Sequence, residues 1–200
     1  AYDKRPFNLL TVGKDSPGLW GSSILPARLV FLMWAAFVLQ YVYGFNLTTL
    51  GIQPRTLTGL IGIFTAPIIH ASRAHLVSNT IPLLFLGTTL FFFYERIGRT
   101  VFFRCYFFTN ILVWLLSPRI SYHIGASGLI YGLSAFLIFY GLLRKDFLSL
   151  LISIGVIIAY GGIFYGILPT DSGVSWESHL AGAIVGTATA FNLRNKKNIG

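Results

Sequence analysis

Residues 127–168 read SGLIYGLSAFLIFYGLLRKDFLSLLISIGVIIAYGGIFYGIL. Only Arg144, Lys145 and Asp146 carry charge in this stretch, and they fall together in its middle. The apolar runs on either side, 127–143 and 147–168, are near the roughly 20 residues that a helix needs to cross a hydrocarbon core. Working outward, the same alternation recurs at 28–47, 75–93 and 100–116 on one side and 179–193 on the other. The expected fold is an all-α integral membrane bundle of six spans. The fourth and sixth runs are short, as suits helices that begin below the membrane surface against protein rather than lipid.

The composition excludes the soluble alternative. Of 200 residues, 54% are hydrophobic and 10% charged, whereas a water-facing domain carries about 25% charged residues. The net charge of +9 does not indicate nucleic acid, because the basic residues form short clusters between apolar runs. Lys4, Arg5, Lys14, Arg28, Arg96, Arg99, Arg104, Arg144, Lys145, Arg194, Lys196 and Lys197 fall on one side of a six-span layout. Only Arg55, Arg73 and Arg119 fall on the other. By the positive-inside bias, both termini are expected in the cytoplasm. The expected organisation is a cytoplasmic segment at 1–27, one helical domain at 28–193 and a basic tail at 194–200. The first 25 residues lack the apolar core of a secretory signal, and a start upstream of Ala1 is expected, since the only methionine is Met33. Residues 48–69, half apolar but broken by Gly51, Pro54, Gly59, Gly62 and Pro67, are expected to form a bent, re-entrant element. Trp20, Trp114 and Trp176 read as interfacial anchors, His123 as an interfacial side chain and Pro82 as a tolerated kink. Cys105, as the single cysteine, excludes an intrachain disulfide.

With this orientation the second, fourth and sixth spans all start at the outer leaflet. His75 and Asn79, then Ser127, then His179 stand at those three starts. Polar side chains at such depth are functional candidates. A serine hydroxyl needs a base to take its proton, and a neutral imidazole suits that task. Gly125 permits an unusual turn before Ser127. Gly128, with Gly182 and Gly186 in GxxxG spacing, lets the fourth and sixth helices approach closely. Tyr131, one turn after Ser127, can stack on the His179 ring. His75 and Asn79, also one turn apart, can donate to an oxyanion beside the Ser127 amide.

The six acids are Asp3, Asp15, Glu95, Asp146, Asp171 and Glu177, and none lies in the middle of a span. That argues for a Ser–His dyad and excludes an intramembrane aspartyl protease. No His-Glu-x-x-His motif occurs, and His70 and His75 are poorly spaced as a metal pair on a helix. No metal or cofactor is expected.

The stretches His70-Ala-Ser-Arg-Ala-His75-Leu-Val-Ser-Asn79, Gly125-Ala-Ser127-Gly128 and His179-Leu-Ala-Gly182-Ala-Ile-Val-Gly186 resemble, in order and spacing, the three signatures of the rhomboid intramembrane serine proteases. The resemblance implies Ser127 as nucleophile and His179 as general base. It also implies an oxyanion hole of His75, Asn79 and the Ser127 amide, with His70, Gly125, Gly128, Tyr131, Gly182 and Gly186 in support. The fifth span and the loop at 169–178 would be gate and cap, and 48–69 the family's half-embedded hairpin. Transmembrane proteins in the lipid bilayer would be the substrates, and a bacterial cytoplasmic membrane the setting.

Three departures stand out. The family's Trp-Arg in the hairpin is replaced around Leu60-Ile61-Gly62. Ser178 stands where alanine usually precedes the base, and Tyr94-Glu95-Arg96-Ile97-Gly98 displaces an acid by one position. These bear on hairpin rigidity and fold stability. Taken singly, Gly125–Gly128 also fits simple small-residue packing, and His179 a structural hydrogen bond. A catalytically inactive relative that binds transmembrane clients is the alternative. A small transporter would call for repeats or buried ion-binding acids, and neither is present.

Overall fold

The computed structural model describes residues 18–144, 146–169 and 175–195. The described residues form seven α-helices: α1 (Gly18–Tyr43), α2 (Gly62–Thr65), α3 (Arg73–Phe93), α4 (Glu95–Leu116), α5 (Ser127–Arg144), α6 (Phe147–Tyr160) and α7 (Trp176–Leu193). Four of them, α1, α3, α4 and α5, are long and apolar enough to cross a membrane. α6 is apolar but short, and its first turn is closed by Asp146, whose carboxylate accepts the Ser149 N–H at 2.9 Å.

Three boundaries differ most from the sequence reading. α1 starts at Gly18 rather than 28, so the expected 27/28 division falls inside a helix. Arg28 is exposed on that helix and does not end it; a long basic side chain can reach back to water from a helix end. α4 starts at Glu95 rather than 100. Its first residues are charged but still follow the helical period, with Ile97, Gly98 and Val101 buried while Glu95, Arg96 and Arg99 stay exposed. The third difference is at 147–168, where α-helix gives way after Tyr160 to a tighter 3-10 winding over Gly161–Ile167.

α5 is the centre of the bundle. Leu133, Ala135, Phe136, Leu137 and Tyr140 are completely buried, enclosed by α3, α4, α6 and α7. Its contact with α7 is glycine on glycine. A Cβ on Gly182 would lie 2.1 Å from the Gly128 carbonyl oxygen, and one on Gly186 would lie 2.0 Å from that of Gly132. The helices thus touch backbone to backbone, as the GxxxG spacing implied.

Tyr94, between α3 and α4, is 1% exposed and meets Tyr140 edge-on at 5.2 Å between centroids. That aromatic corner joins α3, α4 and α5. Glu95 and Arg96 themselves point outward.

The segment between α1 and α3 contains short 3-10 turns at Leu47–Leu50, Thr58–Leu60 and Ala66–Ile68 around the single turn of α2. It folds against α4, whose side chains grip its main chain. The Asn110 amide donates to the Ile63 carbonyl at 3.0 Å, the Trp114 indole N–H to Thr56 at 2.9 Å and the Tyr106 hydroxyl to Phe64 at 2.6 Å. Arg55 returns the contact, donating to the Ser117 carbonyl. The missing Trp-Arg therefore leaves the hairpin tethered from α4, with the Trp114 ring nitrogen as one of the tethers.

Candidate active site

The hairpin and the loop before α5 are paired through Ile52 and His123, which exchange backbone hydrogen bonds of 2.9 and 2.8 Å. Further along the loop, the Gly125 N–H donates to the Ala66 carbonyl at 2.8 Å. Gly125 has φ +108°, and a Cβ there would lie 2.7 Å from His75 Nε2. Both the conformation and the close approach require glycine. This fixes the backbone that presents Ser127 at the head of α5.

His179, 7% exposed, lies on the first turn of α7. Its Nε2 is 2.8 Å from Ser127 Oγ, and its Nδ1 is 2.9 Å from the Gly166 carbonyl oxygen. A carbonyl oxygen only accepts, so Nδ1 carries the proton and Nε2 offers its lone pair to the serine hydroxyl. Tyr131 lies flat on the imidazole, with centroids 4.0 Å apart and planes 8° from parallel. The bond, the stack and the glycine approach join the residues that the sequence singled out on α5 and α7.

α3 supplies the other wall. Ser72 caps it, accepting the His75 N–H at 3.1 Å. His75 and Asn79 then face the Gly125 backbone on the same side as Ser127. The Asn79 amide nitrogen is buried and has no hydrogen-bond partner among the described residues. It is a donor held ready beside the serine. A cavity of about 600 Å³ opens over His75, Asn79, Ser127, Tyr131 and His179. Among the described residues, no group of three or more His, Cys, Asp or Glu is placed to hold a metal ion.

If Asn79 stabilises an oxyanion, Asn79→Ala should lower kcat by about 10²-fold and leave KM nearly unchanged. Steady-state kinetics on a transmembrane reporter would read this, and an effect confined to KM would assign Asn79 to substrate binding.

His70 is fully buried next to the site. Its ring meets His75 edge-on at 4.9 Å, its Nδ1 lies 3.2 Å from the Ile68 carbonyl, and its own carbonyl accepts from Gln40 of α1. It backs the His75 ring and ties the hairpin's end to α1. Burial, and then the neighbouring His75, lower its pKa to about 4. His123 is also held below the usual histidine value, chiefly by burial. Below the ordinary value near 6.5 the unfolded chain takes up these protons and the folded chain does not, so stability falls as pH drops toward 4. The thermal midpoint in detergent should decline over that window, and His70→Gln should remove part of the decline.

Two features around α7 escaped the sequence reading. His123, expected at the interface, is 3% exposed. Its ring nitrogens lie 3.0 Å from Ser117 Oγ and 2.7 Å from Ser175 Oγ, and Ser175 lies 2.7 Å from Ser178 Oγ. The hydroxyl at the departure position, Ser178, thus belongs to a chain of polar contacts at the start of α7. Alongside it, Arg119 clamps the buried Glu177 through both carboxylate oxygens. An acid in a helix's first turn is a weak signal, and nothing in the sequence pairs it with Arg119. Residues 170–174 of the loop at 169–178 lie outside the described residues, so its expected role as cap has no structural counterpart here.

These elements define a helical membrane protein that encloses a serine–histidine pair between glycine-packed helices. Residues 58–196 match the family described as the rhomboid domain, and the chain belongs to the rhomboid family. It is similar to an uncharacterized protein of Mycobacterium tuberculosis, at 34% identity over 86% of this chain and 75% of that protein. It is likewise similar to an uncharacterized protein of Mycobacterium leprae, at 36% identity over 81% of this chain and 67% of the relative.

Proposed function

We propose that this chain is an intramembrane serine endopeptidase that cuts transmembrane helices of other membrane proteins near the outer leaflet. The observation that carries the reading is the 2.8 Å bond from Ser127 Oγ to His179 Nε2, made where His75 and Asn79 face the same cavity. Ser127 attacks a substrate carbonyl while His179 takes its proton. The tetrahedral oxyanion receives hydrogen bonds from His75, Asn79 and the Ser127 N–H. His179 returns the proton to the leaving amine, the acyl-enzyme forms, and water activated by the same imidazole releases the second fragment. A regular helix hides its carbonyls in its own hydrogen bonds, so the substrate must unwind locally at the scissile bond.

The membrane plan belongs to the same proposal. α6 with its 3-10 extension, and α7, complete six spans, with both termini in the cytoplasm and Arg55, Arg73 and Arg119 outside. The mycobacterial relatives support a bacterial cytoplasmic membrane. The helical domain then runs from α1 to the end of α7, between a cytoplasmic segment and a basic tail.

Purified protein in liposomes is expected to cleave a fluorogenic transmembrane reporter, and Ser127→Ala at equal folded yield is expected to be silent. A fluorophosphonate should label wild type and not the variant. Wild type that neither cuts nor labels would instead favour a client-binding role without catalysis.

A further inference from the structure

Three groups from two elements close on the His179 ring of α7. Ser127 of α5 meets Nε2, Tyr131 covers one face, and the carbonyl of Gly166 meets Nδ1 at 2.9 Å. Gly166 lies in the 3-10 winding that follows α6. Its position leaves no room for a side chain, since a Cβ would lie 2.1 Å from the Tyr131 hydroxyl and 3.1 Å from His179 Nδ1. The nearby acid in sequence, Glu177, is engaged by Arg119. Nδ1 is thus met by main chain.

We propose that the Gly166 carbonyl is the positioning group for the histidine base, filling the part that a buried carboxylate plays in a serine triad. The proposal rests on the protease reading and adds a condition to it. A triad carboxylate holds the imidazole in one tautomer and one orientation. Here the same hold comes from the segment leading out of α6, so the base is set only while that segment is seated on Tyr131 and His179. Unseating it frees the Nδ1 proton. The ring can then rotate or carry its proton on Nε2, where it cannot accept from Ser127.

The test reads the tautomer directly, by ¹⁵N NMR of histidine-labelled full-length protein in micelles, with His179→Gln identifying the signal. Wild type is expected to show His179 protonated at Nδ1 and bare at Nε2. Gly166→Ala, whose methyl group must displace the segment, is expected to lose that tautomer and to lower reporter cleavage by about 100-fold. In Tyr131→Phe the hydroxyl that the methyl group would meet is gone, leaving approaches of 3.1 Å to His179 Nδ1 and 3.2 Å to the ring carbon that a small shift relieves. Tyr131→Phe with Gly166→Ala is therefore expected to recover the tautomer and to cut nearly as well as Tyr131→Phe alone. A wild-type ring protonated at Nε2 would overturn the proposal, as would Gly166→Ala that cuts like wild type with its tautomer unchanged. Failure of the double variant to recover the tautomer counts against it equally. If Gly166→Ala does not fold, the wild-type tautomer decides alone. Because the tautomer is read without substrate, wild type that keeps Nδ1–H but cuts and labels nothing sinks the protease reading while the orientation stands.

Discussion

His179→Gln is expected to slow cleavage of a transmembrane reporter by on the order of 10⁴-fold while leaving folded yield close to that of wild type. Glutamine is similar in reach and can still hydrogen-bond to Ser127 or to the Gly166 carbonyl, so the polar lining of the site survives. What it lacks is a lone pair basic enough to take the serine proton, and a hydroxyl that keeps its proton is a poor nucleophile. Labelling of Ser127 by a fluorophosphonate should fall in parallel, since acylation by the probe needs the same proton transfer. If labelling persisted at the wild-type rate while cleavage was lost, His179 would be acting on the leaving group or on water rather than on Ser127.

Gly182→Ala should damage fold and site together. The added carbon would sit 2.1 Å from the Gly128 carbonyl oxygen, where a backbone atom rather than a movable side chain opposes it. Relief requires α7 to retreat from α5 by about 1 Å, at a cost of about 2–3 kcal/mol. The same retreat pulls His179, less than one turn away, out of reach of Ser127, and a misplacement of that size can cost about 10²-fold in rate. Thermal denaturation in detergent alongside reporter cleavage would test both parts. Gly155→Ala on α6 is the control, because a Cβ there meets nothing within 4 Å; it should leave both readings near wild type. Equal effects from the two substitutions would mean that the approach of α5 and α7 does not govern the outcome.

The parts of this protein that were legible in advance are those that side chains announce. Apolar runs located α3 and α5 closely, the small residues announced the α5–α7 contact, and one helical turn was enough to place Tyr131 over His179. The ends of the helices were harder to read because charge was taken as a stop. Arg28 and Arg96 instead ride on exposed faces of α1 and α4, where charge costs little. The site lost resolution wherever the main chain does the bonding. Gly166 offers no side chain to mark it, and an unbroken apolar run hides the change from α-helix to 3-10 winding after Tyr160. Loop partners were equally silent. Arg119 looked like a topology charge, and His123 an interfacial ring, until the folded chain brought Glu177 and Ser175 within reach.

The grip of α4 on the hairpin has a consequence for how freely that hairpin can drift in sequence. Asn110, Trp114 and Tyr106 all donate to carbonyl oxygens, groups that every residue type carries. The bulky outward side chains of Leu57 and Ile61 take no part in those bonds. Their identities are therefore decoupled from the hold on the hairpin. At those two positions side-chain identity can change without loosening the stretch, and α4 carries the instructions for where it must lie.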